Sequence, residues 1–353
     1  MVRGQTAPNM TGQPMASGLP AGHPPIKQPR IGVLLLNLGT PDGTDYWSVR
    51  RYLSEFLSDQ RVIEQPKWFW QPILQGIVLS TRPQKSGANY ARIWDKDANE
   101  SPLRVITRRQ TKKLQERLGK DIVVEFAMRY GNPSTKSGID ALQAAGCQKI
   151  LLAPLYPQYS ATTTATANDK AFDALKMMRW QPAVRTLPAY FDEPAYIAAL
   201  AQSIADGVAA LDFTPDVILT SYHGMPVEYF EKGDPYHCHC LKTTRLVREH
   251  LGWSEEKLKV TFQSRFGPTK WLEPYTDATL MALPGQGIKR VAVVAPAFSV
   301  DCIETLEEIA ITGREQFEHA GGERYAYIPC LNDTELGMTM LESVVRKELA
   351  GWV

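Results

Sequence analysis

The chain has 353 residues, which suggests two domains, and 44% of them are hydrophobic, as is usual for a globular protein. Its 39 Lys and Arg residues are balanced by 38 Asp and Glu residues, so no overall charge favours nucleic acid or another highly charged partner. No apolar run approaches the ~20 residues of a membrane-spanning helix, and five scattered cysteines without a secretory leader predict a protein of the reducing cytoplasm.

Predicted strands and helices alternate along most of the chain. Residues 1–30 are rich in Gly, Pro, Met and Thr and lack an apolar core, so we expect a disordered tail. Beyond them, short runs rich in Val, Ile and Leu alternate with helix-compatible stretches, which is typical of parallel sheets covered on both faces. The predicted strands are Ile31–Leu36, Ile122–Phe126, Lys149–Leu155, Asp216–Thr220, Leu258–Phe262 and Arg290–Ala295, and the predicted helices include Leu103–Leu118, Ser137–Ala145 and Tyr196–Leu211.

The two halves of the chain repeat one plan, because three similar segments recur in the same order. This repeat predicts an α/β fold of two Rossmann-like, doubly wound domains with parallel sheets, facing each other across a cleft lined by strand carboxyl ends. We place the domains at 31–190 and 191–353 and expect the C-terminal helix to pack back on the first. The matching segments are 38–41 with 223–226, 126–131 with 262–267, and 149–154 with 290–296.

An insertion at about residues 46–100 makes the first half longer than the second, and we call it the aromatic lip. It contains aromatic residues at high density, among them Trp47, Trp68, Phe69 and Trp70. Such a segment suits an apolar lip over the cleft, built for a large flat ligand or a membrane surface. Packing of these aromatics onto their own domain is an equally good interpretation.

Polar residues follow the second and third predicted strands. Arg129, after the second strand, has the fork geometry to clamp a carboxylate of a ligand, and it would equally well pair with a structural acid. The segment 156–166 after the third strand contains Tyr159 and several hydroxyl groups. These hydroxyls would cap a helix or bind a carboxylate or phosphate.

His223 is the most informative residue, because the apolar run Asp216–Thr220 is followed at once by Ser-Tyr-His-Gly-Met-Pro. In open parallel sheets, ligands bind at this end of the strands. Imidazole accepts a proton or a metal ion near neutral pH, so His223 is a candidate catalytic residue. A strand-end histidine that only hydrogen-bonds a neighbouring loop fits the pattern equally well.

The run His237-Cys238-His239-Cys240 has the residue types of a metal site but not its usual spacing. Because C-x-C is tighter than the usual zinc pattern, we expect a loop or helix start in which one or two of these groups pack inward, with iron–sulfur ligation as the alternative. The chain also has no G-x-G-x-x-G, phosphate-binding G-K-[ST] or G-x-S-x-G motif, so the common nucleotide-binding and serine-hydrolase signatures are missing.

An acidic segment follows the last predicted strand. If it begins a helix, Asp301, Glu304 and Glu308 fall on one face, where they would raise one another's pKa when buried. A solvated acidic helix start is the ordinary interpretation. Because this face begins at the sheet edge where His223 also emerges, a path for a cation in one direction and protons in the other is the alternative.

Together these segments resemble the ferrochelatase family, whose members insert Fe(II) into a porphyrin at the end of haem synthesis. The similarity runs from about Gly32 to the C-terminus. The motifs that carry it are Leu36-Asn37-Leu38-Gly39-Thr40-Pro41, Tyr156-Pro157-Gln158-Tyr159-Ser160, His223 with Gly233-Asp234-Pro235-Tyr236, Gly267-Pro268 with Trp271-Leu272 and Pro274, and Asp301 with Ile303-Glu304-Thr305-Leu306.

The resemblance implies an enzyme that inserts Fe(II), its substrate, into protoporphyrin IX to give protohaem. It implies that His223 is the catalytic proton acceptor at the ring centre and that Glu304 is its acidic partner across the ring, on the opposite lobe. Either residue would contact the metal. Asp301 and Glu308 would continue a metal or proton path. The porphyrin would contact Leu38, Arg129, Tyr159 and Trp271.

The resemblance also sets expectations about cofactors and partners. Family members with a 2Fe–2S cluster have a cysteine after the Tyr-Ser segment and a C-terminal cysteine trio. Here Ala161 follows Ser160 and no such trio is present, so we expect no 2Fe–2S cluster. The expected protein is a bacterial cytoplasmic enzyme, a monomer or weak dimer, that binds porphyrin and ferrous iron and no nucleic acid. Peripheral contact with the inner membrane would use the aromatic lip.

Two other functions remain open at this point. The first is a chelatase for another tetrapyrrole or metal, such as coproporphyrin, sirohydrochlorin or cobalt; a sirohydrochlorin pocket should be richer in Arg and Lys than this Trp-rich lip. The second is a non-catalytic haem- or porphyrin-binding protein. The sequence also leaves open the in-cell metal preference.

Overall fold

The computed structural model describes residues 29–353, so nearly all of the tail predicted at 1–30 lies outside the described residues. Within the described range, eight strands and the helices between them divide into two halves of similar plan. The first half consists of β1 (Arg30–Thr40), α1 (Tyr46–Leu57), α2 (Lys67–Ile73) with a π-helical turn (Leu74–Val78), α3 (Leu79–Ile93), α4 (Pro102–Leu118), β2 (Ile122–Gly131), α5 (Thr135–Ala144), β3 (Cys147–Pro154), a π-helical turn (Ala161–Ala165), α6 (Thr166–Lys176) and β4 (Ala183–Thr186).

The second half begins with a long helix. Its elements are α7 (Pro194–Ala209), β5 (Val217–His223), α8 (Val227–Glu231), α9 (Tyr236–Leu251), β6 (Leu258–Gln263), α10 (Thr276–Ala282) with a 3-10 turn (Leu283–Gln286), β7 (Arg290–Val294), α11 (Ile303–Thr305) continued by a π-helix (Leu306–Gly313), α12 (Arg314–His319), β8 (Arg324–Ile328) and α13 (Glu335–Leu349).

Each half contains one four-stranded parallel sheet. The strand orders are β2-β1-β3-β4 and β6-β5-β7-β8, so the second sheet repeats the first with every strand number raised by four. The two-sheet α/β fold predicted from the repeat is therefore confirmed. All six predicted strands are present, and the short strands β4 and β8 were missed.

The central strands are buried on both faces, as their apolar sequences predict. Leu34, Leu35 and Leu36 of β1 are fully buried between helices. The largest apolar cluster includes Val33 from the first sheet and Ile218 from the second, so the two halves share one core. Burial of this continuous apolar surface is the main force that fixes one half against the other.

Helices at the boundary complete this shared core. Buried residues of α7 and α13 belong to the same cluster, and α13 packs against both α7 and α4. Arg117 on α4 reinforces the contact with α13 by an ion pair to Glu335 at 2.6 Å. None of the helices in residues 29–353 has the length and apolar character that crossing a bilayer requires.

Candidate active site

His223 is the last residue of β5, where the central strand of the second sheet ends. Its Nδ1 lies 2.7 Å from the carbonyl oxygen of Gly224. Because a carbonyl oxygen only accepts hydrogen bonds, this contact assigns the ring proton to Nδ1 and leaves the lone pair on Nε2. The half-buried imidazole is therefore fixed in orientation, with one nitrogen ready to accept a proton or a metal ion.

The turn after His223 requires glycine. A Cβ added to Gly224 would lie 2.5 Å from the carbonyl oxygen of Gln263 and 3.2 Å from the ring of Trp271. The same carbonyl accepts a hydrogen bond from the Gly224 N–H at 2.7 Å. Close backbone approach thus holds the His223 turn against β6 and brings Trp271, predicted to bind porphyrin, beside it.

Gln263 connects His223 to the acidic segment. It is the register partner of His223 across β5 and β6, and its side chain donates to the backbone carbonyl of Glu304 at 2.7 Å. Ser221, on β5, donates to the amide oxygen of Gln263 at 2.7 Å. One buried amide therefore links the strand that ends in His223 to the backbone that carries Glu304.

The expectation that His223 and Glu304 come from opposite lobes is wrong. His223 ends β5, and Glu304 follows β7, which pairs directly with β5 in the second sheet. Because the carboxyl ends of adjacent parallel strands meet at one sheet edge, both residues emerge from the same half.

Glu304 nevertheless faces the first half. The pKa values of Tyr52 and Tyr90 are both raised well above the usual tyrosine value. Burial is the largest cause, and the charge of the nearby Glu304 carboxylate adds to it. Tyr52 also donates to the carbonyl of Gly39 at 3.2 Å, next to Leu38 at the end of β1. The Glu304 carboxylate therefore lies close enough to Tyr52 and Tyr90 of the first half for its charge to act on them.

The acidic segment does not form the single α-helical face that its spacing predicts. Asp301 precedes the helix, and from Leu306 the backbone is π-helical, so the expected alignment at 301, 304 and 308 is wrong. The Asp301 carboxylate accepts hydrogen bonds from Tyr327 at 2.6 Å, Asn332 at 2.6 Å and Thr305 at 2.9 Å. Asp301 is thereby held by structural contacts at the start of the segment.

Glu308 lies behind Glu304 in a partly enclosed position. Burial, and then the neighbouring Glu304 carboxylate, raises the pKa of Glu308 to about 7. The hydroxyl of Ser264 donates to the Glu308 carboxylate and partly opposes this rise. Two adjacent carboxyls of which one titrates near neutrality form a pair that can take up and release a proton.

Glu307 anchors the π-helix to the aromatic lip, and the sequence analysis did not single it out. Its buried carboxylate pairs with Arg92 of α3 at 2.7 Å and accepts from Asn89 at 3.4 Å. Arg92 also reaches Glu315 at 2.7 Å. The only sequence signal was the acid itself, since nothing local indicates that Arg92 lies opposite.

Arg129 and Tyr159, both predicted porphyrin contacts, are held by neighbours within the protein, Arg129 through its side chain and Tyr159 through its backbone. Arg129 pairs with Asp59, donates to Thr166 at 2.6 Å and stacks on Tyr130, as the structural-acid interpretation expects. The backbone N–H of Tyr159 donates to Nδ1 of His239 at 3.2 Å.

The His/Cys run lies in the first turns of α9, and two of its groups pack inward as expected. His239 stacks on Phe191 with ring centroids 3.6 Å apart, Cys240 is fully buried, and Cys238 is exposed. Within residues 29–353, no group of three or more His, Cys, Asp or Glu side chains is arranged to hold a metal ion.

A cation missed by the sequence analysis lies near Trp271. The guanidinium of Arg82, on α3 of the lip, is 5.6 Å from the ring centroid of Phe266. Phe266 contacts Trp271 at 5.4 Å between ring centroids, and its carbonyl accepts from the indole N–H at 3.0 Å. A basic group therefore borders the apolar residues around His223.

Comparison with known proteins identifies the family. A model of the ferrochelatase family matches residues 30–349. A protein named ferrochelatase from Allorhizobium ampelinum is 62% identical over 337 residues, which cover 95% of this chain and 98% of the relative. Ferrochelatases from Mesorhizobium japonicum and Rhizobium meliloti are each 60% identical, over 95% and 94% of this chain and 96% and 98% of their own length.

Solved structures share the fold at much lower sequence identity. SirB from Bacillus subtilis with Fe3+ superposes with a TM-score of 0.54 at 10% identity, over 92% of this chain and 97% of that one. The sirohydrochlorin chelatase SirB from Bacillus subtilis subspecies spizizenii, in complex with cobalt, gives 0.53 at 8% identity, over 91% and 97%. These likenesses concern the fold alone.

Proposed function

The chain belongs to the ferrochelatase family and is an enzyme of protohaem biosynthesis that inserts iron into a porphyrin, and we propose that His223 and Glu304 carry out this step on protoporphyrin IX. Insertion of Fe(II) requires removal of two protons from the pyrrole nitrogens and loss of water from the cation. Bases must therefore stand close to the ring centre, inside a site that excludes bulk water.

We assign the first proton to Nε2 of His223. The observation that carries this assignment is the 2.7 Å contact between Nδ1 and the Gly224 carbonyl, since it leaves Nε2 as the basic nitrogen. The glycine turn, which packs against the Gln263 carbonyl and Trp271, fixes the backbone next to His223. A base fixed before the substrate binds needs little reorganisation during proton transfer.

Glu304 and Glu308 then form the path for protons and for iron. Glu304 faces the first half, and Glu308 behind it has a pKa of about 7. Such a pair can receive a proton from the ring side and release it towards solvent at neutral pH. The hydrogen-bonded Asp301 supports the start of this path, and the path itself consists of Glu304 and Glu308.

The surroundings favour protoporphyrin over coproporphyrin. Trp271 beside the His223 turn and the partly buried Leu38 near the end of β1 would give apolar contact to a macrocycle edge. Arg82 is a nearby cation for a propionate. Protoporphyrin carries two propionates and two apolar vinyl groups, whereas coproporphyrin carries four propionates. A rigid apolar pocket that binds the ring in a bent form would also expose its nitrogen lone pairs and favour the transition state.

An anaerobic insertion assay tests this function. The wild-type protein is mixed with Fe(II) and either porphyrin, and the change in the porphyrin spectrum is followed. We expect faster insertion into protoporphyrin; equal or inverted rates would contradict the substrate assignment.

Variants test the residues in the same assay. His223→Ala should abolish insertion while porphyrin binding, measured by fluorescence, is largely retained. His250→Ala, at an exposed histidine late in α9, is the matched control. Glu304→Gln should slow turnover more than it weakens binding. Normal insertion by His223→Ala would refute the proposal and favour a carrier that binds porphyrin without a catalytic histidine.

The aromatic lip is also the surface that we propose for peripheral contact with a membrane. Trp68 is 79% exposed and Trp47 is 63% exposed, and Ile77 on the same lip is also exposed. Exposed aromatic side chains partition favourably into the headgroup region of a bilayer. An apolar porphyrin would then reach the cleft without crossing water.

A further inference from the structure

One cavity of the first half is lined by neither His223 nor Glu304. It has a volume of about 800 Å³ and is lined by residues of α1, the segment that follows it, the start of α2, the end of β2 and α6. We call it the basic cavity, because six of its lining residues are basic and three are acidic. The basic residues are Arg50, Arg51, Arg61, Lys67, Arg129 and Lys170.

The three acidic residues neutralise only part of this charge. Asp59 pairs with Arg129, and Asp169 pairs with Arg61 at 2.7 Å. The third acid, Glu55, accepts from a backbone N–H at 3.0 Å and lies 4.0 Å from Arg129. The acids are therefore occupied by two of the arginines and the backbone.

Four cations of the basic cavity have no carboxylate partner among residues 29–353. Arg50 donates to Gln75 at 2.9 Å, and Arg51 donates to a serine hydroxyl at 3.1 Å. Within the described residues, Lys67 and Lys170 have neither an ion pair nor a side-chain hydrogen bond. Unpaired like charges around one cavity repel each other and create a positive potential that attracts an anion.

The chemistry of this wall suits a phosphate group. Arg presents paired N–H donors to phosphate oxygens, and Lys binds them as a point charge. The cavity is much larger than a single phosphate ion needs, so we expect a phosphate that belongs to a bigger molecule.

Exposed aromatic residues on α1 and α2, two of the helices that line the basic cavity, indicate which kind of molecule carries that phosphate. Trp68 and Phe69 directly follow Lys67 on α2, and Trp47 lies three and four residues before Arg50 and Arg51 on α1. Basic residues beside exposed aromatics are the pattern of a surface that binds anionic lipid.

We propose that the basic cavity binds the phosphate headgroup of an anionic phospholipid and so orients the aromatic lip on the membrane. The proposal rests on the membrane contact suggested above but names the lipid class and the residues that select it. Lys67 and Lys170 are the selective residues, since neither has another partner in the part of the chain that the structure describes.

Vesicle binding tests the proposal with the full chain. Binding is measured to vesicles of phosphatidylcholine alone and to vesicles that also contain phosphatidylglycerol. Lys67→Gln/Lys170→Gln should weaken binding to the phosphatidylglycerol vesicles by about 30-fold and leave binding to phosphatidylcholine unchanged. The control Lys96→Gln/Lys112→Gln removes two exposed lysines outside the cavity that likewise lack a partner in the described structure, and it should match the wild type on both vesicles.

Two further arms separate the alternatives. Equal losses in both double variants would mean that only general surface charge matters and would overturn the proposal. Binding of inorganic phosphate by the wild type, lost in Lys67→Gln/Lys170→Gln, without any preference for phosphatidylglycerol would overturn the lipid source. Trp68→Ala tests the contact of the lip with the membrane. An unchanged affinity for both kinds of vesicle would reject the aromatic contact, and the headgroup assignment would then depend on the result of the lysine variants alone.

Discussion

Replacing Glu308 by Gln should stabilise the protein at alkaline pH and change it much less at acidic pH. Burial, and then the adjacent Glu304 carboxylate, raises the pKa of Glu308 from 4.5 to about 7. The ionised form is therefore disfavoured in the folded protein. Gln has nearly the same shape and can still accept from Ser264, but it carries no charge.

The magnitude follows from the pKa difference between the folded and unfolded states. Below a pH of 4.5 the carboxyl is protonated in both states, and the raised pKa carries no penalty. Stability is then lost as the pH rises through about 7, because the folded protein must accept a buried charge. The full loss is about 3 kcal/mol, and this is an upper value because the Glu308 side chain keeps some contact with solvent.

Denaturant unfolding at two pH values measures this effect. At about pH 8, Glu308→Gln should unfold at a higher denaturant concentration than the wild type, with a gain of up to ~3 kcal/mol, and at about pH 5 the gain should fall to below ~1 kcal/mol. Glu318→Gln, at an exposed carboxylate of α12, is the control and should change neither value. A gain of the same size at both pH values would refute the reasoning, because it would have a cause other than titration.

Three further predictions concern the turn, the core and the cofactor. Gly224→Ala should lower the rate of iron insertion by about 10-fold to 100-fold, because the added Cβ would displace the Gln263 carbonyl that holds the catalytic turn. The control Gly285→Ala, where no atom lies within 4 Å of the added Cβ, should insert iron normally. Tyr156→Phe should leave the free energy of unfolding unchanged or raise it, because the buried hydroxyl lacks a partner among residues 29–353. Tyr196→Phe should lower the free energy of unfolding by about 1 kcal/mol, because the Tyr196 hydroxyl donates to a carbonyl at 2.7 Å. Anaerobically purified protein should show no visible absorption from a 2Fe–2S cluster; a cluster spectrum that disappears on chelation would contradict that expectation.

The central strands of both sheets could be predicted because their own sequences are enough to identify them as buried strands. β1 and β5 are runs of Val, Ile and Leu with helices on both faces, and such runs have few other stable placements. β4 and β8 could not be found in this way. β4 has four residues and lies at a sheet edge, so pairing with β3 determines its structure more than its own residues do. β8, the edge strand Arg-Tyr-Ala-Tyr-Ile, likewise depends on β7.

Part of the candidate site could be predicted from the sequence for a similar reason. His223 follows a buried strand directly, and in a parallel sheet this position alone places it at a ligand-binding edge. The partners that orient it come from distant segments. Gln263 lies 40 residues later and Trp271 later still, and neither has a local pattern that would connect it to His223.

The π-helix at 306–313 explains why the acidic segment was harder to predict. An α-helical spacing would align Asp301, Glu304 and Glu308, but helical structure starts only at Ile303 and widens into the π form at Leu306. Widening the turn changes which residues share a face, and the hydrogen bonds of Asp301 and the lip contacts of Glu307 favour this geometry. Glu307 then turns to the lip while Glu308 turns to Ser264. Because these partners come from the lip and from the loop after β6, only the folded chain determines which carboxyl lies next to Glu304.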